Sequence, residues 1–110
     1  MSSTQMLKGI LEGCLLAVIS EGEIYGYEMT KMLAKYGFSD ISEGSIYPIL
    51  LRMQKEKWVN TELKASPNGP KRKYYTLTPR GEEELHTFMN RWKTLSESVD
   101  ALLDKTVNEA

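Results

Sequence analysis

Apolar residues recur at steps of three and four from Gln5 to about Ser20, at Met6, Leu7, Ile10, Leu11, Cys14, Leu15, Val18 and Ile19. That period predicts a helix with a wide buried stripe. Glu21, Gly22 and Glu23 end it, with Gly22 suited to the left-handed conformation that closes many helices. Ile24 to Gly26 lead into a second helix near Tyr27 to Tyr36, with Tyr27 or Glu28, Met32, Leu33 and Tyr36 along one side, and Gly37 stops it. After a connector from Phe38 to Ile41, Ser42 is a good N-cap for a third helix reaching about Lys57. With Ile46 at zero and about 100° per residue, Ile49, Leu50, Met53 and the stem of Lys57 fall within about 60° of it and make the core face. Gly44, Pro48, Leu51, Arg52 and Lys55 collect on the opposite side. Pro48 lacks the N–H that the Gly44 carbonyl needs, so the helix begins later than Ser42 or bends at the proline.

Two strands follow, Trp58 to Lys64 and Arg72 to Leu77, the second dense in aromatic and β-branched residues. Between them Pro67 and Asn68-Gly69 make a turn, giving a hairpin whose tip and return strand carry Lys64, Lys71, Arg72 and Lys73. Tyr74 and Tyr75 alternate across the strand, so one is core and the other free to meet a ligand. Thr78 caps a final helix with Pro79 at its first position and Glu82, Glu83 and Glu84 near its positive end. Its apolar residues Leu85, Phe88, Trp92, Leu95, Val99 and Leu102 are spaced 3, 4, 3, 4 and 3, a heptad seam. On a helix of about 28 residues, roughly 40 Å long, this is more seam than the rest of so small a domain covers. A second copy of the helix is the expected partner. The pattern divides the chain into a 1–78 winged helix-turn-helix and a 79–110 dimerisation helix, a mainly α fold with a small β-hairpin.

The 110 residues suit one compact domain, and 41% hydrophobic with 26% charged residues is a globular composition. The formal net charge of −1 hides a division. Residues 1–30 hold one base against four acids, 31–80 ten bases against four acids, and 81–110 three bases against seven acids. A +6 centre thus lies between ends of −3 and −4, which prompts a search for an anionic partner. Lys8 and Glu12 interrupt the approach to the uncharged run from Gly13 to Ser20, so nothing there spans a bilayer or reads as a signal peptide, and cytoplasm is the expected compartment. Cys14 is the one cysteine; beside Leu15, Leu16 and Ala17 it reads as a buried, inert thiol.

Enzyme chemistry finds little support. His86, the single histidine, lies on the acidic last helix with no nucleophile and orienting carboxylate signalled near it, and one His with one Cys makes no zinc spacing. No cofactor or metal is expected. Helix, helix, helix, hairpin, long helix, with the basic charge in the centre, is the order of a winged helix-turn-helix, whose third helix enters the major groove while the hairpin lies along the backbone or in the minor groove. Arg52 and Lys55 project from the third helix opposite its core face; by spacing alone they are an ordinary solvated face, and the wing charges and the +6 block turn the balance toward DNA. Leu51 meets a thymine methyl or is simply an exposed leucine. Trp92 reads first as dimer core, and Phe88, Met89 and Trp92 together are a bed for a flat apolar effector. The alternative is a winged-helix module whose basic face meets an acidic protein and no operator.

Three segments resemble the PadR family of bacterial transcriptional regulators: Tyr25-Gly26-Tyr27-Glu28, Ser42 to Leu50 with its Gly-x-x-Tyr-Pro-x-Leu pattern, and Gly69 to Gly81 with Arg72-Lys73-Tyr74-Tyr75 in the wing. The similarity extends over about residues 5 to 105, and the single long C-terminal helix is similar to the compact subgroup. The resemblance implies a homodimeric repressor that binds a roughly palindromic operator in double-stranded DNA and leaves it when an effector binds, in some compact relatives a flat aromatic molecule near an interfacial tryptophan. It also implies that Tyr25 and the segment Ser45 to Pro48 lie at the DNA backbone, with Tyr47 at the groove edge. Arg52 and Lys55 would face the groove, and the segment Gly69 to Arg72 would form the wing tip.

Overall fold

The computed structural model describes Leu7 and residues 9–109, with side chains through 106. In chain order its elements are α1 (Leu11–Ser20), β1 (Ile24–Tyr25), α2 (Gly26–Lys35), α3 (Glu43–Lys55), β2 (Val59–Ser66), β3 (Gly69–Leu77) and α4 (Pro79–Glu109). The fold is mainly helical with a small antiparallel sheet, as the periodicities predict. The expected start of the first helix at Gln5 and Met6 lies outside the described residues.

The sheet has the order β1-β3-β2. β1 is too short to carry a period, and the sequence reads it only as a lead into the second helix. It pairs with β3 as Ile24↔Tyr75 and Tyr25↔Tyr74. Ile24 and Tyr75 are buried in the core, while Tyr25 and Tyr74 meet edge to face on the outer side with ring centroids 5.3 Å apart. Both hairpin strands are longer than expected, so the turn shrinks to Pro67 and Asn68 between the paired Ser66 and Gly69, with a register shift between Lys64 and Ser66. Pro70 is tolerated in β3 because β1 reaches only Tyr74 and Tyr75 and leaves that end of the strand with one neighbour.

α1 buries Leu11, Leu15, Leu16, Val18 and Ile19. Cys14 sits at the edge of this stripe, half-buried rather than buried, and its partial desolvation raises the thiol pKa. α2 corrects the sequence reading of its buried side: Met29 and Leu33 go inward, Met32 is half-buried, and Tyr27 and Tyr36 are exposed. The wheel followed the bulky tyrosines, but the attachment through β1 turns Gly26 inward, where Tyr47 packs on it.

α3 buries Ile46, Leu50 and Met53, with Ile49 partly covered, as its period requires. Pro48 lies inside it, and the helix starts at Glu43 directly after Ser42; Gly44, whose carbonyl receives no N–H from Pro48, is an exposed residue. The helix ends at Lys55, short of the expected Lys57. Lys57 has φ 62°, its N–H donates to the Gln54 carbonyl, and the Trp58 N–H donates to the Met53 carbonyl, a Schellman closure. Lys57 is thus exposed rather than lending its stem to the core face.

Thr78 caps α4 as predicted: its Oγ1 accepts the Gly81 N–H at 3.0 Å and donates to the Lys57 carbonyl at 2.7 Å. Gly81 is buried there because a Cβ would stand 2.1 Å from the Trp58 carbonyl oxygen. Leu85 then packs against the core, and the Phe88 ring covers Gly13 of α1 so closely that a Cβ would lie 2.3 Å from it. Beyond Phe88 the helix runs on, 31 residues in all. No helix among the described residues is long and apolar enough to cross a membrane.

Candidate nucleic-acid interface

About 100° per residue sets three sides on α3. With Ile46 facing the core, Glu43, Tyr47 and Gln54 fall on the flank toward the hairpin, Gly44, Pro48, Leu51 and Lys55 on the outer side, and Ser45 and Arg52 on the flank away from the hairpin. Tyr47 is 48% exposed, and its hydroxyl leans over the start of α2, 3.1 Å from where a Gly26 Cβ would stand. The Lys73 ammonium donates to Gln54 Oε1 at 2.9 Å and ties β3 to this flank.

Between α3 and the hairpin lies a cleft of about 440 Å³. Six of the sequence-predicted residues line it: Tyr25, Tyr47, Gly69, Lys71, Arg72 and Lys73. Pro70 of the wing-tip segment lines it as well, and so do Glu43 and Asn68, which are not among the DNA-contacting residues the sequence singles out. The Arg72 guanidinium rests 4.6 Å from the Tyr25 ring centroid, so a side chain that sequence alone leaves mobile has a fixed base. The Lys71 side chain is exposed and makes no side-chain hydrogen bond or ion pair among the described residues.

The other predicted DNA residues lie outside the cleft. Ser45, Pro48 and Lys55 are exposed on α3, with Ser45 Oγ 3.2 Å from Ser42 Oγ. Leu51 is 54% exposed beside them. Arg52 is exposed but not free: Nη1 donates to Glu12 Oε2 in the first turn of α1, and the guanidinium stands 5.4 Å from the Trp58 ring centroid. Lys64 lies across from Arg72 on β2, over the Tyr74 ring at 5.5 Å. Its hydrogen bond to Glu23, 2.5 Å long, holds the Lys64 ammonium above the usual lysine range. Sequence reasoning missed both acids, and no local signal marks them, because each lies some forty residues from its partner.

On α4 the seam divides. Leu85 and Phe88 are half-buried within the chain, whereas Met89, Trp92, Leu95, Val99 and Leu102 are exposed, Trp92 at 45%. Trp92 lines a cleft of about 270 Å³ with Gly13, Phe88 and Arg91, and another of about 590 Å³ with Ile10, Phe38 and Val99. Met89 lines neither of these two clefts. His86 is exposed, and among the described residues no three of His, Cys, Asp and Glu stand together as a metal site requires.

Residues 15–87 match the model of the transcriptional regulator PadR-like family. A crystal structure of a PadR-like transcriptional regulator from Bacillus cereus is 57% identical, with TM-score 0.80 over 90% of this chain and 96% of that one. A Streptococcus transcriptional regulator is 43% identical, with TM-score 0.78 over 91% of this chain and 98% of that one. The negative transcriptional regulator PadR of Bacillus subtilis is 27% identical over 82% of this chain, which spans 50% of that protein's length. Its crystal structure in complex with operator DNA matches 73% of this chain and 46% of that one, with TM-score 0.66.

Proposed function

Because the chain belongs to the PadR-like family of transcriptional regulators, we propose that it is a homodimeric repressor that binds a roughly palindromic operator and leaves it when a small aromatic effector binds. The observation that carries this reading is the cleft between α3 and the hairpin, walled by Lys71, Arg72 and Lys73 and edged by Tyr47. It joins a helix of groove-entering size to a basic wing, the arrangement through which one edge of a duplex is held and read. Tyr25, Ser45, Tyr47 and Pro48 meet the backbone. Arg52 and Lys55 face the groove, and Gly69, Lys71 and Arg72 form the wing tip with Lys64 and Lys73 behind. The name of the Bacillus subtilis relative, a negative regulator, favours repression over activation.

Dimerisation rests on α4. Residues 1–78 supply the DNA-binding unit and 79–110 the helix that joins two copies through Trp92, Leu95, Val99 and Leu102, with Leu85 and Phe88 anchoring that helix to its own domain. The two clefts beside Trp92 support an aromatic ligand at that joint, within reach of both chains. Operator binding places the protein in the cytoplasm, with the DNA.

Hydroxyl-radical footprinting on the region upstream of its own gene tests the reading. Two symmetric protected patches with centres about 34 Å apart along the duplex are expected from a two-fold dimer. Uniform cleavage, or a single unsymmetric patch, would contradict it.

A further inference from the structure

Arg52 and Lys55 share the accessible part of α3, yet their surroundings differ. Lys55 has no ion pair among the described residues, while Arg52 donates through Nη1 to Glu12 Oε2. The pair spans two helices, and the Arg52 side chain is still 59% exposed against 34% for Glu12. The Trp58 ring stands 5.4 Å from the guanidinium carbon. A guanidinium carries five N–H donors in a rigid plane. With one nitrogen held by a carboxylate and the group beside an indole, the guanidinium plane is restrained while the side chain stays 59% exposed, which leaves its other donors free to bond. Reading a base edge through two parallel hydrogen bonds needs a plane fixed in that way.

The carboxylate has a second effect. Attraction to any duplex scales with the cationic charge brought to the phosphates. Glu12 places a negative charge against Arg52 and so reduces the pull of that side chain on phosphate in general, while leaving its donors available to a matching base. Held to one place and discounted at all others, Arg52 discriminates where an unpaired arginine would adhere.

We propose that Glu12 is a specificity-determining residue for DNA recognition, acting through Arg52 as a positioning residue and not by touching DNA. This rests on the DNA-binding reading above. Anisotropy titrations of the full chain with its own upstream duplex and a scrambled duplex, across a salt series, test it with the variants Glu12→Gln, Glu12→Asp, Arg52→Ala and Glu12→Gln/Arg52→Ala. For Glu12→Gln the scrambled duplex binds more tightly, its salt slope steepens by up to about 0.9, and the preference for the upstream duplex falls by about tenfold, the size of one bidentate contact. Glu12→Asp keeps the charge but shortens the reach, so it holds the wild-type slope and loses part of the preference. In the Arg52→Ala background the Gln substitution changes neither quantity.

Circular dichroism establishes that each variant is folded; should Glu12→Gln fail to fold, Glu12→Asp decides, and unchanged preference there overturns the proposal. It is also overturned if folded Glu12→Gln keeps the wild-type slope and preference, or if its effects persist without Arg52, which would make Glu12 a diffuse surface charge. A wild-type chain that shows no preference for the upstream duplex removes the DNA-binding reading itself, and this proposal with it, an outcome separate from the other three.

Discussion

Lys71 and Lys73 stand two positions apart on the wing, equal in sequence and unequal in place. Lys73 is tied to Gln54 and so joins β3 to α3, whereas Lys71 reaches out from the wing tip with no partner among the described residues. If Lys71 holds a phosphate as proposed, Lys71→Ala removes that contact and nothing structural: affinity for upstream and scrambled duplexes should drop alike, and the log–log salt slope should flatten by about 0.9. A change confined to one sequence would mean that Lys71 reads a base. The basic residues themselves are legible in the sequence as the charged middle of the chain. Their pairings are not, because the Glu12–Arg52 and Lys64–Glu23 contacts depend on how helices and strands meet after folding, and no spacing along the chain encodes them.

Among the elements, the helix periods were the dependable signal where the apolar side chains were aliphatic. Ile46, Leu50 and Met53 go inward as their spacing requires, while α2 breaks the rule because Tyr27 and Tyr36 count as apolar on a wheel yet remain in solvent. β1 escaped notice because two residues, Ile24 and Tyr25, hold no period and gain their strand geometry only from β3. The joint between wing and last helix was half legible: Thr78 and Pro79 announce the helix start, and nothing announces that Gly81 must pass beneath the Trp58 carbonyl. Gly81→Ala puts a methyl group 2.1 Å from that oxygen, on backbone that cannot rotate away. The expected loss is about 1–3 kcal/mol of stability, the range for overpacking, read as a lowered midpoint in urea with the slope unchanged. An unaltered midpoint would show that the joint has room to give.

At the scale of the molecule, the radius of gyration is 16.3 Å and the long axis 58 Å, against about 13 Å for the radius of a compact chain of this length. The excess is α4, which leaves its own domain after Phe88 with Trp92, Leu95, Val99 and Leu102 uncovered. The seam was readable from the heptad alone; that Leu85 and Phe88 turn back to the core was not, because a heptad does not say which of its positions another part of the same chain covers. In the proposed dimer Leu95→Glu would put like charges at the middle of the seam, so light scattering should show a dimer for the wild type and a monomer for the variant. A monomeric wild type would contradict the two-fold account.

The acidic ends and basic centre now have places in the molecule: the last helix α4 carries seven of the fifteen acids, while Lys71, Arg72 and Lys73 wall the cleft beside α3 and Arg52, Lys55 and Lys64 stand outside it. Near-neutral overall charge is therefore compatible with one strongly phosphate-attracting side, and the acids elsewhere discourage other dockings. The central claim is that this side recognises a particular duplex. Fluorescence anisotropy with the duplex upstream of its own gene and a scrambled duplex of equal length, at low and moderate salt, measures it directly. At least about a hundredfold preference for the upstream duplex, persisting at moderate salt, is expected; equal and feeble binding to both would overturn recognition of a particular duplex.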